Sequence, residues 1–203
     1  MIMQLQQASN LARRVMEILA PHCERIDIAG SIRRQKPEVK DIEVVAIPKK
    51  IFVQTDLFGA GYHTPVAGFV HALEQFTAEV IKGQPDGRYM QIRLKGGATL
   101  DLFLPDEADY FRQLAIRTGS SKYSNYVLAH AWRQLGWCGS DLGLRRQVDC
   151  EAVVRGDKTS WRCINPDGAK PPVWPSEEAF FEWLNLKWIA PQFREIPDRH
   201  LAQ

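Results

Sequence analysis

The chain has 203 residues, of which 45% are hydrophobic and 25% charged, a composition typical of a globular protein that buries a sizeable core. It contains no apolar run near the roughly 20 residues that span a bilayer, and its N-terminus lacks the apolar core and cleavage site of a secretory signal. These features predict a cytoplasmic protein without a membrane partner. The formal net charge of +2 is compatible with nucleic acid as a partner but does not by itself argue for one.

Helix and strand patterns alternate through the first half of the chain. Apolar spacing predicts helices over 4–20 and 65–80, and strand-like runs cover 25–29, 41–47, 88–95 and 99–104. Residues 49–64, rich in Gly and aromatics, are predicted to form a loop. The last two strands are predicted to form a hairpin around Gly96–Gly97. The pattern predicts an α+β domain over residues 1–108, in which helices cover one face of a mixed sheet.

The second half of the chain has a different character. Its pattern predicts helices over 106–116 and 121–135, followed by short strands near 143–147, 150–154 and 161–164. Ser176, with two glutamates after it, predicts the capped start of a helix over 179–188. We therefore expect a second, smaller α+β domain over 109–203. The four cysteines show no CxxC pair, which predicts reduced structural thiols.

The stretch Ile26–Val45 gives the strongest chemical signal. Asp41 and Glu43 are two apart on a predicted strand, so their side chains point to the same face. Two carboxylates side by side repel each other, which makes the arrangement costly unless a cation lies between them. The preceding Gly30–Ser31 turn presents backbone N–H groups at a helix start, where phosphate binds readily. Metal-binding carboxylates facing a phosphate site predict nucleotidyl transfer.

A two-metal site of this kind requires a third carboxylate from a neighbouring strand. Asp101 is the best candidate because it stands alone in the apolar run Thr99–Leu104, where a charge is otherwise unfavourable. Asp86 and Glu107 are rivals, but a turn and a helix start account for them. All-oxygen ligation by the strand pair and Asp101 suits two Mg²⁺ ions, for which Mn²⁺ can substitute.

The pattern of Gly-Ser, nine residues, then Asp-apolar-Glu resembles the signature of the nucleotidyltransferase superfold. With the strand TLDLFLP, the turn RTGS and the final SEEAFFEWLNLKWIAPQFRE, the chain is similar to the palm and thumb of DNA polymerase family X over most of residues 10–195. The resemblance implies a nucleotidyltransferase palm over 1–108 and a thumb over 109–203. It also implies that Asp41, Glu43 and Asp101 are the catalytic and metal-binding residues.

The same resemblance implies a nucleotide-binding set. Ser31 and Arg34 are expected to contact the triphosphate, with Arg33 as the alternative to Arg34. The turn at 118–120 is expected to back the sugar of the incoming nucleotide, and the helix after it to lie along the nascent base pair. The expected nucleotide-binding residues are Gly30, Ser31, Arg34, Thr118, Gly119, Ser120, Tyr123 and Ser124.

Departures from the family pattern bear on substrate choice. Ile116–Arg117 replaces the aromatic pair or Gly-Trp that usually precedes the TGS turn, which weakens the expectation of deoxyribose selectivity. Ser124 and Leu128 occupy the positions of a nucleotide-side Asn and a template-contacting Arg, so low fidelity is expected. No lysine-rich helical module precedes residue 25, so we expect no lyase activity. The chain resembles the compact palm-plus-thumb polymerases of some viruses.

Without such a module, DNA must be held by polar and basic side chains elsewhere. The expected DNA-binding residues are Lys122, Asn125, Arg133, Arg145 and Arg146. The sequence thus predicts a monomeric DNA-directed DNA polymerase of family X type that adds nucleotides to a primer 3′ end, in short gap filling during DNA repair. The alternatives are template-independent terminal addition to DNA or RNA, and nucleotidyl transfer to a protein or a small molecule.

Overall fold

The computed structural model describes residues 2–56, 59–156 and 158–196. The helices are α1 (Leu5–Leu19), α2 (Gly30–Arg33), α3 (Ala67–Phe76), α4 (Tyr110–Thr118), α5 (Ser121–Tyr123), α6 (Ala129–Gln134) and α7 (Glu177–Trp183). A π-helical segment, Ser124–Leu128, joins α5 to α6. The strands are β1 (Met3–Gln4), β2 (Cys23–Ile28), β3 (Glu38–Val39), β4 (Asp41–Pro48), β5 (Lys50–Gln54), β6 (Gly61–Pro65), β7 (Thr77–Gly83), β8 (Tyr89–Leu94), β9 (Thr99–Phe103), β10 (Trp137–Ser140), β11 (Gly143–Arg146), β12 (Cys150–Arg155) and β13 (Lys158–Cys163). The architecture is α+β, as predicted.

A five-stranded mixed sheet of order β2-β4-β9-β8-β7 organises the N-terminal part of the chain. Strands β4 and β9 run parallel at its centre, and the other neighbouring strands are antiparallel. The predicted hairpin of the last two strands is confirmed, since Gln91 of β8 pairs with Asp101 of β9. The sheet therefore places β4 and β9, which hold the predicted acidic residues, next to each other.

The main core lies between one face of this sheet and helices α1 and α3. These helices bury Val15, Leu19 and Phe69 against Ile42 and Leu100 of the sheet. Removing one such side chain from water contributes about 1.5–3 kcal/mol. Because strand side chains alternate, this burial turns the odd-numbered residues of β4 and β9 to the opposite face.

Helix α4 packs on that opposite face. Tyr110 and Leu114 lie against Val45 and Phe103, and the Tyr110 hydroxyl donates a hydrogen bond of 2.6 Å to Asp27. The prediction that helices cover only one face is therefore incomplete. The first helix after β9 returns over the second face, beside the odd-numbered residues of β4 and β9.

The C-terminal part combines helices with a four-stranded sheet of order β11-β10-β13-β12. The predicted strands are present as β11, β12 and β13, and β10 was missed because its sequence, WCGS, has no β-branched residue. The predicted N-cap of α7 is confirmed, since Ser176 Oγ accepts a hydrogen bond of 3.1 Å from the Ala179 N–H. The core of this part is aromatic and includes Trp132, Trp137, Trp174, Phe180 and Phe181.

Two predictions for residues 49–80 are wrong. The predicted loop over 49–64 contains the antiparallel hairpin β5–β6, in which Phe52 pairs with His63. The predicted helix over 65–80 ends at Phe76, where Thr77 Oγ1 donates a hydrogen bond of 2.7 Å to Leu73 O. The chain then continues as β7, because pairing with β8 overrides the helical spacing. Residues 57–58 of that loop and 197–203 of the second predicted domain lie outside the described residues.

A buried ion-pair network joins the N-terminal and C-terminal parts. Glu177 of α7 accepts hydrogen bonds of 2.6 and 2.8 Å from Arg194, and of 2.8 and 3.1 Å from Arg33. Arg33 also donates to Thr118 Oγ1 at 2.7 Å. A buried charge without a partner is strongly unfavourable, so this network constrains how α2, α4 and α7 meet. The domain boundary after residue 108 stays a prediction.

The four cysteines are free thiols, as predicted. Burial raises the pKa of Cys23 to about 12, and burial with a hydrogen bond to Cys150 raises that of Cys138 to about 12. These two thiols therefore stay protonated near neutral pH. Among the described helices, none combines the length and the apolar character that a bilayer crossing requires.

Candidate active site

Three carboxylates lie on the sheet face opposite the main core. Asp41 and Glu43 project from β4, and Asp101 projects from the adjoining parallel strand β9. The register places Glu43 beside Asp101, and the alternation that buries Ile42 and Val44 turns the acidic side chains away from the core. The structure thus places on one face the pair that strand spacing predicted and Asp101, which was predicted as an isolated charge in an apolar strand.

Gly30 begins the turn that faces Glu43. Its φ of +62° lies in the left-handed region, and a Cβ at this position would be 1.9 Å from Glu43 Oε2. Only glycine allows both the backbone conformation and the close approach. The Ala29 N–H donates to Glu43 O at 2.8 Å, which fixes the turn to β4. Ser31 follows in the four-residue helix α2 and lines a cleft with Asp41 and Glu43.

The packing of Asp41 and Glu43 disfavours their charged forms. Burial, reinforced by the charge of Asp101, raises the pKa of Asp41. Burial and the charges of Asp41 and Asp101 raise the pKa of Glu43 to about 7. Arg34 lowers both pKa values but does not balance the negative charge. The site therefore has an excess of negative charge that a proton or a cation would relieve.

Asp101 is 8% exposed and is held by two side chains of the neighbouring strand β8. Tyr89 donates a hydrogen bond of 2.5 Å and Gln91 donates one of 2.7 Å, both to Asp101 Oδ1. Burial and the hydrogen bond to Asp101 raise the pKa of Tyr89, so the phenol stays protonated and can donate. The two donors fix the orientation of the Asp101 carboxylate.

The donor chemistry of this face suits a divalent cation such as Mg²⁺. Carboxylate oxygens are the ligands that Mg²⁺ prefers, and the excess charge at Asp41 and Glu43 is what a cation would offset. Within residues 2–56, 59–156 and 158–196, no three acidic, His or Cys side chains form a preassembled metal cluster. Asp41 and Glu43 would be the principal ligands, with Asp101 beside them. Asp86, in the turn after β7, and Glu107, in the 3₁₀ turn before α4, lie off the sheet face.

A cavity of about 440 Å³ opens beside Glu43, between β4 and the helices that follow β9. Gly119 is part of its wall, where a Cβ would be 2.8 Å from Tyr123 Cδ1. Arg34 and Glu43 also line the cleft of about 600 Å³ that contains Ser31, so the two spaces adjoin. The polar residues of the 440 Å³ cavity are Arg34, Glu43, Arg112, Arg117, Ser120, Ser121, Ser124 and Asn125.

Two predicted nucleotide-binding residues lie behind this cavity and do not line it. Thr118 is fully buried, and Tyr123 is 5% exposed. Ser120 lines the cavity and also caps α5, since its Oγ accepts a hydrogen bond of 3.2 Å from the Tyr123 N–H. Ser124 Oγ donates a hydrogen bond of 2.7 Å to Ile116 O. In the 118–120 turn, Gly119 and Ser120 therefore line the cavity, and the buried Thr118 lies beneath them.

The structure distinguishes the two candidate arginines of α2. Arg33 points to the C-terminal part, where Glu177 and Thr118 occupy its donors. Arg34 lines both the cavity and the cleft. Its Nη1 donates to Thr118 O at 2.6 Å and its Nε to Glu195 at 2.9 Å. Arg34 is therefore the one of the pair that a ligand in the cleft can reach.

The predicted DNA-binding residues do not form one surface. Asn125 lines the 440 Å³ cavity, Lys122 is half-buried in α5, and Arg133 is exposed on α6. Arg146 lies over the Trp137 ring at 4.3 Å and donates to a backbone carbonyl. Arg145 lines a separate cavity of about 270 Å³. The first three of these residues therefore lie along α5, the π-helical segment and α6, and the two arginines of β11 belong to another region.

Sequence reasoning missed the donors that hold Asp101 and the contacts of the C-terminal segment. Tyr89 and Gln91 share a face with Asp101 because Gln91 pairs with Asp101, whereas a two-residue loop at Gly96–Gly97 would have paired residue 92 with Asp101 and turned both donors away. Glu195 binds both Arg34 and Lys36, and no local pattern connects residues so distant in sequence.

No protein-family model matches the sequence. A comparison with curated proteins likewise finds no significant match.

Proposed function

We propose that the protein is a nucleotidyltransferase of the DNA polymerase family X type, which adds nucleotides to a primer 3′ end. The observation that carries this proposal is the placement of Asp41, Glu43 and Asp101 on one sheet face, with the Gly30 turn packed against Glu43. Phosphoryl transfer depends mainly on positioning and charge stabilisation, and this face with its adjoining cavity supplies groups for both. The corresponding fold is a nucleotidyltransferase palm followed by a thumb.

In this proposal the chain's own residues bind and orient the reactants. Asp41, Glu43 and Asp101 would hold two Mg²⁺ ions, which would supply Lewis acidity for the transfer. Tyr89 and Gln91 keep Asp101 oriented. Further nucleotide contacts come from Ser31 and Arg34 at the phosphates and from Gly119 and Ser120 at the sugar.

Primer extension on gapped duplex DNA tests this function directly. The wild-type protein should extend a labelled primer in Mg²⁺ or Mn²⁺, and Asp101→Asn should fold normally but lose extension. Asp106→Asn, which neutralises an exposed carboxylate after β9, is the matched control and should retain activity. Failure of the wild-type protein to extend any primer with either metal would reject the proposal, and extension by Asp101→Asn would reject Asp101 as the third ligand.

One observation favours untemplated addition as a second candidate function. Leu128, at the position of the family's template-contacting Arg, is fully buried in the C-terminal core and presents no side chain to a duplex. Ser124 is also engaged internally, through its hydrogen bond to Ile116 O. Extension of a single-stranded primer should be compared with extension of the same primer on its template. Equal rates and no preference for the complementary nucleotide would establish terminal addition.

A further inference from the structure

The cavity beside the carboxylates contains one arginine that differs from its neighbours. Arg112 is held by Asp109 through hydrogen bonds of 2.5 and 2.7 Å, and Arg34 donates to Glu195 at 2.9 Å. Arg117 Nε is buried, and among the described residues it has no hydrogen-bond partner. Of the arginines that line the cavity in the described part of the chain, Arg117 is thus the one whose Nε makes no hydrogen bond.

Arg117 lines the cavity and lies near the carboxylates of Glu43 and Asp101. Its guanidinium carbon lies 4.0 Å from the centre of the Phe103 ring. Phe103 is two residues after Asp101 on β9, so the ring lies about 7 Å further along the same face. Burial lowers the pKa of Arg117, and the nearby carboxylates of Glu43 and Asp101 act against that shift. The guanidinium therefore lies where the carboxylate face meets the cavity.

Among the described residues of the lining, Arg117 is the cation that no ion pair compensates. Arg34 pairs with Glu195 and Arg112 pairs with Asp109, which leaves Arg117 beside the carboxylate of Glu43. A half-buried guanidinium that makes no hydrogen bond among the described residues is unfavourable, and a ligand oxygen at its terminal nitrogens would offset part of that cost. Hydrogen bonds between a guanidinium and phosphate oxygens are short and charge-assisted. The cavity is therefore complementary to a phosphate group on the side of Arg117.

We propose that Arg117 is an anion-binding residue of this cavity and holds a phosphate group of the nucleotide without needing a metal ion. This inference rests on the proposed function and adds a contact that the family pattern does not contain. Ile116–Arg117 departs from that pattern and provides a cation where the family commonly has an aromatic pair or Gly-Trp.

Nucleotide binding in the absence of metal tests the role of Arg117. Calorimetric titration of dATP into the wild-type protein in EDTA should show binding, and Arg117→Gln should weaken it about tenfold or more. Arg117→Lys should give an intermediate affinity because it keeps the charge but loses the planar fork. Deoxyadenosine, which has no phosphate, should show no dependence on residue 117.

The matched control is Arg25→Gln. Arg25 also lies over an aromatic ring, 4.7 Å from the centre of Phe111, but it is outside the cavity. Arg25→Gln should therefore bind dATP with the wild-type affinity. Thermal unfolding of each variant is measured first, and if Arg117→Gln does not fold, the comparison of Arg117→Lys with the wild-type protein decides the question.

Two results would overturn the inference. One is unchanged dATP affinity in the Arg117 variants. The other is tighter Mn²⁺ binding by Arg117→Gln together with an undiminished dATP affinity. That result would mean that the Arg117 charge competes with a metal cation for Glu43 and Asp101 and does not bind the nucleotide. Primer extension by the same wild-type preparation separates the two proposals. Extension with unchanged Arg117→Gln binding rejects only the role of Arg117, whereas lost binding without wild-type extension rejects only the polymerase activity.

Discussion

Replacement of Glu177 by Gln perturbs the buried network that joins the C-terminal part to the sheet. Glu177 is 4% exposed and accepts hydrogen bonds from Arg33 and Arg194, and Arg194 is fully buried. Loss of the carboxylate charge leaves an uncompensated buried cation, which costs about 3–5 kcal/mol. Since the free energy of unfolding of a domain is about 5–15 kcal/mol, this cost is a large fraction of the total.

Acid should remove the same stabilisation from the wild-type protein. Burial alone would raise the pKa of Glu177, but the hydrogen bonds from Arg194 and Arg33 outweigh it and lower the pKa from 4.5 to about 2. Because the folded-state pKa lies below the unfolded-state value, the contribution is complete well above the unfolded-state pKa and is lost as the pH falls toward 2. A shift of this size corresponds to about 3 kcal/mol.

Urea unfolding at pH 7 and at pH 3 measures both effects. At pH 7 Glu177→Gln should lower the midpoint without changing the m-value, and at pH 3 its difference from the wild-type protein should shrink. Glu178→Gln is the matched control, because this exposed neighbour in the same helical turn contributes only about 0.3–1 kcal/mol through the helix dipole. Equal destabilisation by the two substitutions, or a Glu177→Gln effect that persists undiminished at pH 3, would refute the reasoning.

Three further substitutions test the site. Gly30→Ala should lower the melting temperature more than Gly97→Ala and should abolish primer extension, because both have positive φ but only Gly30 faces Glu43. Tyr89→Phe removes the donor 2.5 Å from Asp101 Oδ1. Calorimetry should show an Mn²⁺ affinity reduced about tenfold, and primer extension should fall by a similar factor, while the melting temperature changes little. The pKa of Glu43 is raised to about 7 in the folded protein. In EDTA the free energy of unfolding should therefore fall as the pH rises from the ordinary carboxyl range through 7, because the folded state then has to lose a proton that it binds more tightly than the unfolded state does. Melting curves at pH 5 and pH 8 should show that decline in the wild-type protein and a smaller one in Glu43→Gln.

Strand periodicity was sufficient to predict the carboxylate face. The alternation of side chains is fixed by backbone geometry, so Asp41 and Glu43 had to share a face, and an isolated charge in an apolar strand indicated Asp101. That Asp101 lies beside Glu43 depends on β9 being the neighbour of β4, and periodicity does not give the strand order. The hydrogen bonds to Asp101 depend on the register of β8 against β9, which composition alone does not determine.

The predictions that were wrong or missing concern contacts between residues far apart in the sequence. The residues from Thr77 onward continue a helical spacing, yet they become strand β7 because β8 offers backbone partners. The role of Arg33 likewise depends on Glu177, which is 144 positions away. Local patterns describe what a segment can form, and the partners that decide between the options lie elsewhere in the chain.

The adjacency of Arg33 and Arg34 makes the site depend on the C-terminal part of the chain. Successive residues on a helix point about 100° apart, so one short turn sends Arg33 to Glu177 and Arg34 to the cleft. The same turn begins at Gly30, which touches Glu43. Any displacement of α7 relative to the sheet is therefore transmitted to Arg34 across a single peptide bond. The position of the C-terminal part therefore sets where Arg34 lies relative to the carboxylate face.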